Sequence, residues 1–158
     1  MIFLTVGSQI PFDRLVAAVD TWAGRSGREI FAQVCETQLS PAHLQWKPRV
    51  PPEEFRERVR QASLVVAHAG MGSILTALEF GKPILVMPRR AALRETRNDH
   101  QVPTAKWLQE RGSVAVAMDE TELFEHLDRF DELEAPGQIS RWASPALLDS
   151  IRTFIADR

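Results

Sequence analysis

The sequence predicts an α/β fold with a Rossmann-like parallel sheet and helices on both of its faces. Three observations support this prediction. Short apolar runs alternate with amphipathic stretches over most of the 158 residues. The run at residues 63–68 is apolar without alternation, which is typical of a strand buried on both faces. Glycine and proline stand between many of the runs, where the chain needs turns. The length fits a single domain covering residues 1–158.

The strands are expected from short, apolar, β-rich runs. The first run ends at Gly7, and the third is expected at a sheet edge because Pro48 cannot donate a ladder hydrogen bond. Because strands alternate with helices, we expect the strands to run parallel to one another. The predicted strands are residues 2–7, 28–35, 43–50, 63–68, 84–88 and 113–118.

The helices are expected where apolar residues recur at helical spacing. Pro11 is expected at the first position of the first helix and Gly24 at its C-cap, and Gly81 is expected to cap the third helix. The predicted helices are residues 11–24, 51–62, the stretch from the glycine turn at 70–72 to about residue 80, and residues 99–112, 120–130 and 144–158.

The last helix follows a predicted linker at residues 130–140, which contains Pro136 and Gly137. Two interpretations of this terminal segment remain open. Residues 142–158 dock a partner protein, or the helix packs on the sheet of this domain. The helix carries an apolar stripe, formed by Leu147, Leu148, Ile151, Phe154 and Ile155.

Composition narrows the functional classes. The formal net charge of −2 gives no global reason to expect nucleic acid or an anionic membrane as a partner. Cys35 is the single cysteine, so an internal disulfide is impossible and a reducing compartment such as the cytoplasm is expected. The first apolar run lacks a basic leader and is too short to span a bilayer.

A glycine turn follows the fourth predicted strand, and ligands of parallel sheets bind at the carboxyl ends of strands. Gly70 and Gly72 allow close approach of a ligand to the backbone, and the start of the next helix favours an anion. The alternative is that Ser73 only caps this helix and the glycines only turn the chain. Spacing alone leaves the two interpretations open, as it does for His68, which is either structural or functional.

A basic loop follows the next strand. Residues 88–101 contain four arginines, which exceed the two acidic residues of the loop, Glu95 and Asp99. Guanidinium groups match phosphate and carboxylate oxygens, although a solvated surface loop is the alternative. The four arginines are Arg89, Arg90, Arg94 and Arg97.

Residues 63–88, followed by Asn-Asp-His-Gln at 98–101, resemble the C-terminal, donor-binding domain of glycosyltransferase family 28. The Val-Gly-Ser-Gln sequence at 6–9 resembles the glycine loop that opens this domain. The likeness covers residues 2 to about 117 and is greatest to PssE-type exopolysaccharide glycosyltransferase subunits. It extends more distantly to the donor-binding subunit of the split N-acetylglucosaminyltransferase of dolichol-linked glycan synthesis. The resemblance implies one half of a GT-B architecture.

The resemblance also implies the binding residues for a UDP-sugar. In this family the two glycine loops hold the diphosphate and the Asp-His-Gln segment contacts the sugar. The corresponding residues are Gly7, Ser8, Gln9, His68, Gly70, Met71, Gly72, Ser73, Asp99, His100 and Gln101. Many relatives have a ribose-binding glutamate where this chain has Thr76. Glu79, one helical turn further on, is the candidate replacement, and a solvated acid at the helix end is the alternative.

We therefore expect the UDP-sugar-binding subunit of a split glycosyltransferase in exopolysaccharide or glycolipid synthesis. One α/β half is expected to need a membrane-anchored, acceptor-binding partner subunit, through which it lies at the inner face of the membrane. Arg89 and Arg90 are expected beside the sugar, which with the PssE likeness favours glucuronosyl transfer to a lipid-linked acceptor. No metal or cofactor is expected, because no Asp-x-Asp pair is present, and no general base is assigned. The alternative function is a non-catalytic nucleotide-sugar sensor or a scaffold for a complete transferase.

Overall fold

The computed structural model describes residues 1–135 and 137–156. Its core is a sheet of six parallel strands in the order β3-β2-β1-β4-β5-β6. The α/β fold with a Rossmann-like parallel sheet is therefore confirmed. The strands are β1 Ile2–Thr5, β2 Ile30–Gln33, β3 Gln45–Lys47, β4 Leu64–His68, β5 Ile84–Met87 and β6 Ala115–Val116.

The strand order reverses between β1 and β4, which lie side by side at the centre of the sheet. From β1 the chain moves outwards through β2 to β3, and it then returns to β4 on the other side of β1. The loops that leave β1 and β4 therefore diverge and open a crevice at the carboxyl edge of the sheet. β3 lies at the edge, as Pro48 predicts, and its three residues are exposed.

Helices cover both faces of the sheet. One core contains residues of α1 and α5, and a second core contains residues of α2, α3 and α4. The last helix, α6, adds to neither of these cores. The helices are α1 Asp13–Ser26, α2 Pro52–Gln61, α3 Met71–Glu79, α4 Gln101–Glu110, α5 Glu120–Asp128 and α6 Pro145–Ala156.

The predicted bounds of α1 are wrong at both ends. The helix begins at Asp13, after Pro11, and its C-cap is Gly27, which adopts a left-handed conformation with φ of 66°. Gly24 lies inside the helix, where a Cβ would come within 2.7 Å of the ring of His43. The small residue at position 24 therefore makes room for the imidazole and does not end the helix. Gly81 does adopt the left-handed conformation expected after α3, with φ of 59°.

The segment before α6 crosses the end of α3. The backbone amide of Ile139 donates to the carbonyl of Leu78 at 3.2 Å, and the side chain of Gln138 donates to the carbonyl of Glu79 at 2.7 Å. Every described residue of α6 is exposed, so this helix does not pack on the sheet. Pro136 of the predicted linker and residues 157–158 of the predicted helix lie outside the described residues. No helix in the described part of the chain is long and apolar enough to cross a membrane.

Candidate functional site

A cleft of about 650 Å³ opens at the point where the strand order reverses. It extends from the loops after β1, β4 and β5 into the groove between the amino-terminal ends of α2 and α3. The three loops that the sequence singles out therefore meet in one place. The cleft is lined by Val6, Gly7, Ser8, Gln9, Ile10, Gln33, Val50, Pro52, Phe55, His68, Gly72, Ser73, Thr76, Arg89, Thr96, His100 and Gln101.

The amino-terminal end of α3 faces this cleft without a side-chain cap. Its N-cap is Gly70, so Ser73 lies in the first turn and does not cap the helix. The amides of Met71, Gly72 and Ser73 have no acceptor in the described part of the chain. A Cβ at Gly72 would meet no atom within 4 Å, so the backbone there is open to a ligand. Uncapped amides and the helix dipole together favour an anion at this end of the cleft.

The imidazole of His68 separates the two glycine loops. A Cβ at Gly7 would lie 2.9 Å from Cε1 of His68, and a Cβ at Gly70 would overlap the ring. Nδ1 of His68 is buried and has no hydrogen-bond partner among the described residues. Burial, together with the neighbouring charge of Arg89, lowers the pKa of His68 to about 4, and the backbone of Thr5 partly offsets this. The ring is therefore neutral at physiological pH and shapes both loops.

Arg89 is buried beneath the cleft, with 3% of its surface exposed. Its guanidinium donates to the carbonyl oxygens of Val6, Ile10 and Pro11 at 2.6 to 2.9 Å, and it lies 4.7 Å from the ring centre of Phe12. Burial lowers the pKa of Arg89, but a guanidinium keeps its proton at neutral pH. Arg89 also lines the cleft, where it was predicted to bind the donor, but its donors hold the loop after β1.

Two other predicted residues of the basic loop, Arg90 and Asp99, hydrogen-bond to backbone groups and hold the loop in place. The carboxylate of Glu95 pairs with Arg14 at 2.6 Å and accepts the amide of Arg90 at 2.9 Å. The guanidinium of Arg90 donates to the carbonyl of Met118, and Asp99 accepts the amide of Ala91 at 2.7 Å. Neither Arg90 nor Asp99 lines the cleft. These contacts order the loop and tie it to α1 and to the residues after β6, and the expectation that the side chains of Arg90 and Asp99 face the donor is not supported.

The chain matches the family model of the glycosyltransferase family 28 C-terminal domain over residues 1–135. It belongs to this family. Within a 62-residue match it is 40% identical to the UDP-N-acetylglucosamine transferase subunit ALG13 of Mus musculus, and 38% identical to the subunit of the same name from Homo sapiens. Each match covers 39% of this chain and 5% of the relative, so the chain spans only a small part of these proteins.

Solved structures place the family 28 domain among GT-B glycosyltransferases by fold. An NMR structure of ALG13 superimposes with a TM-score of 0.62 at 19% identity, covering 89% of this chain and 90% of that one. CalG4, the calicheamicin glycosyltransferase, superimposes with a TM-score of 0.60 at 14% identity, covering 99% of this chain and 43% of that one. UDP-glucose: anthocyanidin 3-O-glucosyltransferase in complex with UDP superimposes with a TM-score of 0.61 at 16% identity, covering 80% of this chain and 30% of that one. At these identities the likeness shows the fold alone.

Glu79, the predicted replacement in this family 28 domain for the ribose-binding glutamate that is missing at Thr76, does not line the cleft. Thr76 lines the cleft, and its hydroxyl donates to the carbonyl of Gly72 at 2.8 Å. Glu79 lies outside the cleft lining and pairs with Arg56 at 2.6 Å and Arg141 at 3.1 Å. The hydrogen bond from Arg56 lowers the pKa of Glu79. Its carboxylate therefore ties α2 and the segment before α6 to the end of α3.

The Asp-His-Gln segment reaches the cleft with its last two residues. His100 lines the cleft, and its Nδ1 contacts the side-chain oxygen of Asn98. The side-chain oxygen of the buried Gln101 accepts the amide of Arg89 at 3.1 Å. Met71, which was also predicted to bind the donor, is exposed and does not line the cleft.

Sequence reasoning missed one wall and part of the floor of the cleft. Val50, Pro52 and Phe55 form an apolar wall at the start of α2, and Gln33 lies at the end of β2. Thr96 of the basic loop also lines the cleft. Gln33 is a polar residue within the apolar run of residues 30–35, and this interruption is the signal that could have indicated a floor residue. The approach of α2 to the cleft depends on strand order, which the sequence does not reveal.

Proposed function

We propose that this family 28 domain binds the UDP-sugar donor of a glycosyltransferase that works with a separate acceptor-binding subunit. The observation that carries the proposal is the uncapped glycine turn of α3, which opens into a cleft at the reversal point of the sheet. Ligands of open α/β sheets bind at this point. The similarity to a protein named as a transferase subunit supports the division between two polypeptides.

The donor is proposed to lie along the cleft in a fixed direction. The diphosphate lies at Gly72 and Ser73, near the amides of Ser8 and Gln9, which have no acceptor in the described part of the chain. The nucleoside lies against the apolar wall formed by Val50, Pro52 and Phe55. The sugar then extends towards the loop after β5, where Thr96, His100 and Gln101 line the cleft. This direction places the charged diphosphate at the polar end of the cleft and the nucleobase at its apolar end.

Stabilisation of the leaving UDP follows from the same arrangement. The helix dipole of α3 places partial positive charge at the diphosphate. The buried Arg89 adds a positive charge, and the carboxylate that acts on it, Glu95, is paired with Arg14. Preorganised charge in a partly dry site stabilises a developing anion without a metal ion or cofactor. The domain therefore contributes donor binding and leaving-group stabilisation, and the general base is assigned to the partner.

Glucuronic acid remains the proposed sugar, but fewer arginines support it than the sequence predicts. Arg89 and Arg90 donate to protein carbonyls, so they do not provide the free cations on which this prediction was based. Arg94 and Arg97 are exposed in the same loop, outside the cleft lining, and are the remaining candidates for a sugar carboxylate. UDP-N-acetylglucosamine is the competing donor, because it is the sugar nucleotide in the printed name of the relative.

The partner is proposed to be a membrane-anchored subunit that carries a lipid-linked acceptor, as in PssE-type exopolysaccharide or glycolipid synthesis. In this proposal the domain lies at the cytoplasmic face of the membrane through that subunit. The exposed apolar face of α6 is the proposed docking surface, and it includes Leu147, Leu148 and Ile151. Asp149 and Arg152 of α6 cancel each other in charge, which favours a protein partner over an anionic lipid surface.

Reconstitution with membranes tests this function. Membranes from cells that lack the chain are incubated with a labelled UDP-sugar, with the purified chain, or with both. We expect label in the lipid fraction only when the chain and the membranes are combined, and no restoration by the Gly72→Val chain. Transfer by the chain alone would contradict the two-subunit mechanism. Full restoration by Gly72→Val would favour the scaffold instead, an alternative supported by the missing ribose-binding glutamate at Thr76.

A further inference from the structure

Gln33 lies at the floor of the cleft, at the carboxyl end of β2. Only 4% of its surface is exposed, yet it is part of the cleft lining. Its side-chain oxygen accepts a hydrogen bond from the hydroxyl of Thr5 at 3.2 Å. The same hydroxyl oxygen accepts the amide of Gly7 at 3.2 Å. A chain of hydrogen bonds therefore runs from the loop after β1, through Thr5, to Gln33.

This chain fixes the orientation of the carboxamide. Thr5 donates its hydroxyl proton to the oxygen of Gln33 and accepts the amide of Gly7, so this oxygen faces Thr5. The NH₂ group of Gln33 then faces away from Thr5, and it has no acceptor among the described residues. The group is not among the fully buried side-chain atoms of the described residues that lack a partner, so it is open to the cleft. The floor of the cleft therefore presents a hydrogen-bond donor for which the described residues supply no acceptor.

The surroundings indicate the kind of acceptor. β2 lies on the β3 side of the reversal point, and the residues that leave β3 and begin α2 form the apolar wall of Val50, Pro52 and Phe55. The uncapped turn of α3 and the buried Arg89 follow β4 and β5, on the other side of that point. A nucleobase has apolar faces and carbonyl oxygens on its edge, so a wall of this kind with one fixed donor suits it. A phosphate suits the opposite side.

We propose that the NH₂ group of Gln33 donates a hydrogen bond to a carbonyl oxygen of the pyrimidine base of the donor nucleotide. The inference rests on the proposed function, and it adds the residue that recognises the base. Gln33 contacts neither the diphosphate nor the ribose in this assignment. Thr5 is a positioning residue, because it holds the carboxamide in the orientation that presents its donor.

The test compares ligands that share only part of the nucleotide. The Gln33→Met chain, which keeps the length of the side chain and removes the donor, is titrated by NMR with UDP, 2′-deoxy-UDP and inorganic diphosphate. We expect the affinity for both nucleotides to fall by about three- to tenfold, which corresponds to one lost hydrogen bond, with no change for diphosphate. Gln61→Met is the matched control, since Gln61 is exposed on α2 outside the cleft lining, and it should bind as the wild type does.

Three results would overturn the inference. The affinities for UDP and diphosphate would fall together if Gln33 acted only through the loop of Gly7. The loss would disappear with 2′-deoxy-UDP if the contact were with the 2′-hydroxyl of the ribose. Unchanged affinity for all ligands would mean that Gln33 has no role in binding. If Gln33→Met fails to fold, Gln33→Asn withdraws the donor by one methylene, and the same pattern of losses is expected. A wild-type chain that binds no UDP would refute the proposed function itself.

Discussion

The imidazole of His68 occupies the space that a side chain at Gly70 would need. A Cβ at position 70 would lie 2.6 Å from Cε1 of His68, which is closer than packed carbon atoms approach. Two residues further on, a Cβ at Gly72 would meet no atom within 4 Å. The two glycines of the turn therefore have different roles. Gly70 accommodates the histidine, and Gly72 leaves room in front of the uncapped amides of α3.

Substitution of these two glycines by alanine should separate stability from binding. We expect Gly70→Ala to destabilise the fold by about 1–3 kcal/mol, because the ring of His68 is confined by Gly7 on its other side. We expect Gly72→Ala to be neutral or up to about 1 kcal/mol more stable, because alanine favours a helix, yet to weaken UDP binding. Urea denaturation and calorimetric titration measure the two effects. Equal stability of the two variants would contradict the role assigned to Gly70.

The pH dependence of stability should show the neutral state of His68. Burial lowers its pKa from 6.5 to about 4, so the unfolded chain binds the proton first as the pH falls. Stability is therefore fully present above about pH 6.5 and is lost as the pH falls towards 4, by up to about 3 kcal/mol. Urea denaturation between pH 4 and 7 measures this loss, and most of it should be absent in His68→Gln. A wild-type profile that matches that of His68→Gln would contradict the burial of a neutral imidazole.

Arg89 should stabilise the loop after β1. Replacement by methionine leaves the carbonyls of Val6, Ile10 and Pro11 without their donor, so we expect a loss of about 2–4 kcal/mol. The variant should also raise the pKa of His68 above 4, because the charge of Arg89 contributes to its low value. Denaturation and NMR titration of the imidazole measure these changes. Arg94→Met, at an exposed position of the same loop, is the control and should lie within about 0.5 kcal/mol of the wild type.

The fold was predictable from the sequence because its central strands are buried on both faces and therefore form continuous apolar runs. The glycine loops were predictable as part of the site because they follow those strands. The role of Arg89 was not, since a count of charges in a loop does not show where a guanidinium points. Gln33 and the wall of α2 were missed because they reach the cleft only through the strand order. Gly24 was misread as a cap because the contact with His43 is not visible in the sequence.

The exposed face of α6 should bind the partner without contributing to the stability of the domain. No described residue of this helix is buried, so Leu148→Glu combined with Ile151→Glu should leave the unfolding midpoint unchanged and abolish association with the membrane fraction. Thr153→Glu adds a charge on the opposite face and should preserve association. Co-sedimentation with membranes measures the effect. A destabilised double variant would show that the helix belongs to the core after all.

Binding of UDP at the cleft is the central claim, and an NMR titration of the ¹⁵N-labelled chain tests it most directly. We predict saturable binding with the largest shifts at the amides of residues 8–10, 71–73 and 96–101, which belong to the loops after β1 and β5 and to the first turn of α3. In the Gly72→Val chain, the same titration should produce no saturable shifts in a spectrum that is otherwise folded. Absence of binding by the wild-type chain at millimolar UDP, or equal binding by Gly72→Val, would contradict the assignment of this domain as the donor-binding half of a glycosyltransferase.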